Sequence, residues 1–141
     1  MYETWLDQIH VVKDILSEYG YVVYEFTDAE DSAILEERII HINSRNHPET
    51  RFYTLLHELG HVEIYENQSE EFEAAHPVYV RVHDGRTYRS NAGKVSLIAE
   101  ELEAWKIGRG IAQQYNLYID NKKYNKHMTD ALMGYINWVA H

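Results

Sequence analysis

Apolar positions recur along this chain in two periods, and the switches between those periods predict its elements. Leu6, Ile9, Val12 and Leu16 fall three or four residues apart, so residues 4–19 are predicted to form an amphipathic helix with Gly20 as its stop. Residues 21–26 are rich in β-branched and aromatic side chains and predict a strand. The acidic stretch 27–37 fits either a loop or a short helix, and residues 38–43 predict a second strand before a polar turn at 44–47. Pro48 and Glu49 suit the first turn of a helix, where a missing N–H costs nothing and a negative charge meets the positive end of the dipole. That helix is predicted to run to about Tyr65, followed by a polar connection over 67–73. Val78, Val80 and Val82 alternate with Tyr79, Arg81 and His83, and Asp84-Gly85 then turns the chain, which predicts a hairpin returning over 87–89. A long helix is predicted from Lys94 to about Tyr115, and a last one after Asp120-Asn121 places Tyr124, Met128, Ala131 and Tyr135 on one face. The sum is an α+β fold in which three or four helices pack on a small, mostly antiparallel sheet.

Composition narrows what such a fold is for. The 141 residues suffice for a single domain with its own core and are too few for two ordinary ones. An apolar share of 45% with 26% charged residues fits a soluble globular protein. No apolar run approaches the roughly 18 to 20 residues of a membrane span. The N-terminus lacks the basic start and apolar run of a secretory signal, so a cytoplasmic protein without membrane contact is expected. The absence of cysteine excludes disulfides, thiolate metal sites and cysteine nucleophiles. A net charge of −10 argues against a nucleic-acid partner, and the small basic run of Lys122, Lys123 and Lys126 fits a polar helix face.

The chemistry concentrates in His57-Glu58-Leu59-Gly60-His61, an H-E-x-x-H motif on the predicted second helix. At about 100° per residue the two histidines lie within roughly 40° of one another, so both imidazoles can bind one tetrahedral zinc. Glu58 stands to the side of that face, where it can act as general base on a zinc-activated water. Phe52, Leu55, Leu59 and Val62 fall on the opposite side and give the helix a core face.

Two histidines leave a zinc site incomplete. In the long helix, Val95, Ile98, Leu102, Trp105 and Ala112 define an apolar arc, with Glu101 near its middle, Glu100 at its margin and Glu103 outside it. A carboxylate amid a core is costly unless it is paired or bound to a metal, which makes Glu101 the preferred third ligand. His76, fifteen residues after His61, is the rival. Ile64 and Asn67 occupy the places of the glycine and third histidine of metzincins and exclude that pattern. Tyr53, His41, His83 and Arg81 are candidate donors to a developing oxyanion.

Residues 38–43 together with Arg51 to His61 resemble the strand and active-site helix of ImmA/IrrE-type zinc metallopeptidases, and Glu101-Leu102-Glu103-Ala104 is similar to the E-x-x-A element of that family. The run through Trp105, Lys106, Ile107 and Gly108 looks like small phage-encoded members. The resemblance implies a zincin-like domain with an active-site helix and a long ligand helix on the sheet. It implies zinc held by His57, His61 and Glu101, peptide-bond hydrolysis with Glu58 as general base, and a protein substrate of the transcriptional-repressor class. It also implies that residues 39–43 form the cleft edge that pairs with extended substrate. A second resemblance, to SprT-like proteases, rests on the His61-to-His76 spacing and implies His76 as ligand and DNA-bound protein substrates. A non-catalytic anti-repressor that keeps the zinc fold is the third alternative. Neither the substrate nor the oligomeric state follows from the residues.

Overall fold

The computed structural model describes residues 4–28, 30–75 and 90–140; His76 and the hairpin predicted over 78–89 lie outside them. Thr4 opens the first helix, its Oγ1 accepting from Asp7 N at 3.1 Å, and α1 spans Trp5–Glu18. Ile9, Val12 and Leu16 are buried as their spacing predicts, but Leu6 is half exposed. Gln8 is buried instead, because its amide donates to Tyr118 O at 3.0 Å and accepts from Tyr118 N at 2.6 Å. A satisfied amide can sit in a core, and hydrophobic periodicity does not register it. The stop at Gly20 is conformational, with φ at +84°, where a side chain would be strained.

Three strands follow: β1 (Val22–Phe26), β2 (Ser32–Ile34) and β3 (Ile39–Asn43), in the order β1-β3-β2. β1 runs parallel to β3, pairing Val22 with Ile39 through Phe26 with Asn43, whereas β2 is antiparallel to β3. Among the described residues the sheet is therefore mixed rather than mostly antiparallel. The stretch left open between loop and helix contributes β2 and a single 3-10 turn, Leu35–Glu37, and this crossover is what lets β1 and β3 run the same way. Ile40 and Ile42 on β3 turn inward to the helices.

α2 (Pro48–Glu63) is capped by His47, whose Nδ1 accepts from Glu49 N at 3.1 Å. Phe52, Leu55, Leu59 and Val62 are fully buried against α1 and the sheet side. Past Glu63 the chain stays helical through a π turn, Ile64–Gln68, into α3 (Ser69–Ala75), where a polar connection was expected. The polar residues there have partners: Tyr19 Oη donates to Glu63 at 2.5 Å, Tyr21 Oη to Glu66 at 3.0 Å, and Asn67 to Tyr19 Oη at 3.0 Å.

α4 (Asn91–Gln114) packs along α2 at backbone distance. A Cβ at Gly60 would stand 2.0 Å from Ala104 O, and one at Gly108 would stand 2.6 Å from Leu56 O. Contact that close selects small residues, so the buried face of α4 runs through Gly93, Ser96, Ala104 and Gly108, while Val95 is exposed. α5 (Asn121–Ala140) closes over this pair. Tyr124 Oη donates to Trp105 O at 2.5 Å, and Met128 and Ala131 pack on the core. No described helix is long and apolar enough to cross a membrane.

Candidate metal centre

The backbone approach at Gly60 brings Glu101 of α4 onto the histidine face of α2. His57 Nε2 lies 2.9 Å from Glu101 Oε2, His61 Nε2 lies 3.1 Å from Glu101 Oε1, and the two Nε2 atoms are 3.0 Å apart. Donors held 2.0–2.1 Å from a tetrahedral ion stand about 3.3 Å from one another. Two imidazoles and a carboxylate in this spacing suit zinc in both chemistry and size, and the three are a group able to hold a metal. Two carboxylates adjoin it. Glu58 Oε1 is 3.5 Å from His57 Nδ1, and Glu100 Oε2 is 3.7 Å from His61 Nδ1. Glu100 is thus no marginal residue: it is 1% exposed.

The electrostatics follow from burial and crowding. Burial pushes the Glu58 carboxyl above its ordinary range, opposed by His57 and His61 and aided by Glu101 and Asp31. Burial disfavours a charged His61, yet Glu101 and then Glu100 and Glu58 outweigh it and push the imidazole up to about 10. Burial likewise works against a charged Glu101, but His61 and His57 hold it well below the usual carboxylate range. The pocket is built to hold positive charge.

Trp105 forms a flat wall, its indole stacked on His57 with ring centroids 4.4 Å apart at 11°. Tyr135 reaches in from α5 on the stripe begun by Tyr124, and its phenol bonds Glu101. Burial first, the negative charge of Glu101 second and the hydrogen bond to it third hold the phenol well above its usual range, which makes it a neutral donor. Sequence reasoning placed Tyr135 on a helix face without a role; the only available sign was that its stripe continues three turns beyond the buried Tyr124.

Other candidates fall elsewhere. Tyr53, expected near the metal face, is fully buried, donates to Glu49 at 2.6 Å and accepts from Asp120 N at 3.1 Å. It fastens the start of α5 to α2. His41 lies on the sheet beside Tyr24 and Phe26, with both ring centroids 6.1 Å away. Residues 39–43 were expected to form the cleft edge, but β3 is the central strand, bonded on both sides. Among the described residues the outer strand on that side is β2, and Asp31 immediately before it is among the groups acting on Glu58. His76, Arg81 and His83 lie outside the described residues.

A two-histidine, one-glutamate cluster with an adjoining buried glutamate on the same helix is the arrangement of a zinc peptidase. The profile of the IrrE N-terminal-like domain, Peptidase_M78, matches residues 8–83, just over half of the chain, and the protein belongs to that family of zinc-dependent peptidases. The matched segment ends before α4, so Glu101 lies beyond it. No curated protein and no solved structure matches the chain.

Proposed function

We propose that this protein is a zinc-dependent metalloprotease of the cytoplasm that cleaves a repressor-like regulatory protein of a phage or other mobile element. The observation that carries the reading is the meeting of His57 Nε2, His61 Nε2 and a Glu101 carboxylate within 4.8 Å of one another. His57, His61 and Glu101 hold the zinc, which supplies Lewis acidity toward water and the peptide carbonyl. Glu58 takes the proton of the attacking water on its carboxylate and returns it to the leaving amine nitrogen. Its raised proton affinity suits both steps. Trp105 keeps the His57 imidazole in plane and bulk water off that side. With the Glu101 carboxylate committed to the metal, the single Tyr135 hydroxyl proton would be free to point toward the negative charge that develops on the substrate carbonyl oxygen. Among the described residues β2, Ser32–Ile34, is an outer strand of the sheet, and its outward side grips extended substrate backbone.

Metal content tests the ligand set. Elemental analysis is expected to give one zinc per chain in the wild type and in His76→Ala, and none in Glu101→Ala. Zinc lost only with His76→Ala would instead favour the SprT-like reading and DNA-stimulated cleavage. A second expectation concerns Tyr135→Phe. A hydrogen bond to a charged group contributes about 1.5–3 kcal/mol, so kcat should fall by about 10- to 100-fold while zinc content stays at the wild-type level. An unchanged kcat would remove Tyr135 from the mechanism.

A further inference from the structure

α4 carries two successive carboxylates into the protein interior, and both face one imidazole. Glu101 meets His61 at Nε2, 3.1 Å away, and Glu100 faces Nδ1 of the same ring at 3.7 Å. Neighbouring helix positions point about 100° apart, so two of them reach a single ring only when that ring stands across the gap between them. His61 is placed so, with one nitrogen toward each carboxylate. His57 is held by different means: its ring stacks on Trp105, and its Nδ1 faces Glu58 at 3.5 Å.

An imidazole that ligates through Nε2 carries its proton on Nδ1, and a carboxylate facing that proton fixes the tautomer and the ring plane and raises the basicity of the ligating nitrogen. Glu100 is 1% exposed, so its carboxylate is fixed in place beside the ring, at an ion-pair separation from Nδ1 that a small rotation of either side chain would close to a hydrogen bond. We propose that Glu100 is a positioning residue for the metal centre, which holds the His61 proton on Nδ1 and so presents Nε2 to the zinc. The inference rests on the metalloprotease reading and deepens it, since it divides the tasks of the two adjacent glutamates: Glu101 binds and Glu100 orients.

The test compares wild type, Glu100→Gln and Glu100→Asp by chelator competition for zinc and by the ¹H and ¹⁵N resonances of His61 in the zinc-loaded protein. Glu100→Gln should weaken zinc binding by about 10- to 100-fold, and Glu100→Asp, which keeps the carboxylate, should recover part of the loss. The Nδ1 proton of wild-type His61 should resonate downfield and exchange slowly, and the glutamine variant should lose both properties. A residue that merely balances charge between α2 and α4 would alter the melting temperature but leave zinc affinity and that resonance unmoved, and this result overturns the inference. Should Glu100→Gln not fold, the wild-type spectrum decides: a rapidly exchanging Nδ1 proton overturns the inference as well. Equal zinc uptake by wild type and the glutamine variant defeats the role of Glu100 alone, whereas no uptake by the wild type defeats the metalloprotease reading beneath it.

Discussion

Gly60→Ala should cost the protein much of its stability and its metal site in one step. The added methyl would lie 2.0 Å from Ala104 O and 2.7 Å from Ala104 C, atoms of a helix backbone that no rotamer change can move aside. Overpacking a tight core costs about 1–3 kcal/mol, occasionally more, and a clash with backbone belongs at the upper end. At roughly 2–4 °C per kcal/mol for a chain of this size, the melting temperature should fall by about 10 °C. The two helices can relieve the clash only by separating, and separation withdraws Glu101 from His57 and His61. Zinc affinity should therefore fall with stability, although Gly60 contributes no donor atom. Gly110 supplies the control, since a Cβ there meets nothing within 4 Å. Gly110→Ala on the exposed side of α4 should raise stability by about 0.5–1 kcal/mol and leave zinc binding alone. Equal behaviour of the two variants in thermal melts would contradict the close-packed α2–α4 contact.

Glu58→Gln should separate binding from catalysis. The residue is 6% exposed and its proton affinity is raised chiefly by burial, so a neutral isostere suits the pocket and the fold should be retained. None of the three metal donors is removed, so zinc should remain at one per chain. Loss of a positioned general base lowers rate by about 10²- to 10⁴-fold, and cleavage of a bound protein substrate should fall by that order. Cleavage by Glu58→Gln at the wild-type rate would refute Glu58 as the base. A stoichiometric, uncleaved complex that is indifferent to the substitution would point to sequestration of the partner.

The elements that sequence patterning predicts well are those whose spacing records a single strong preference. α1, α2 and α5 bury large apolar residues at helical intervals, and the H-E-x-x-H spacing places both imidazoles on one side of α2. Glu101 stood out because a carboxylate amid an apolar arc needs a partner. The reading of Glu100 and of Val95 went astray for one physical reason. The closest approach of α4 to α2 is made at Ala104 and Gly108, and Gly93 and Ser96 are buried on the same helix; residues so small carry little hydrophobic signal, so the true buried face is rotated away from the one large apolar residues suggest. The helical path through Ile64–Gln68 and Ser69–Ala75 was hidden because the partners of its polar residues, Tyr19 and Tyr21, lie more than forty residues upstream. The central place of β3 depended on β2, whose three residues are too short to display a period.

The brevity of β2 has a consequence for selectivity. Three residues at about 3.3 Å each span roughly 10 Å, room for only two or three main-chain hydrogen bonds with a visiting strand. Such an edge is also too short to template the stacking of other chains, one of the means by which natural sheets stay free of aggregation. Backbone pairing of that extent is indifferent to sequence and too weak to retain an arbitrary unfolded peptide. On the proposed protease reading, discrimination among substrates then rests on surfaces of the client that remain folded, which suits one regulated client better than general protein turnover.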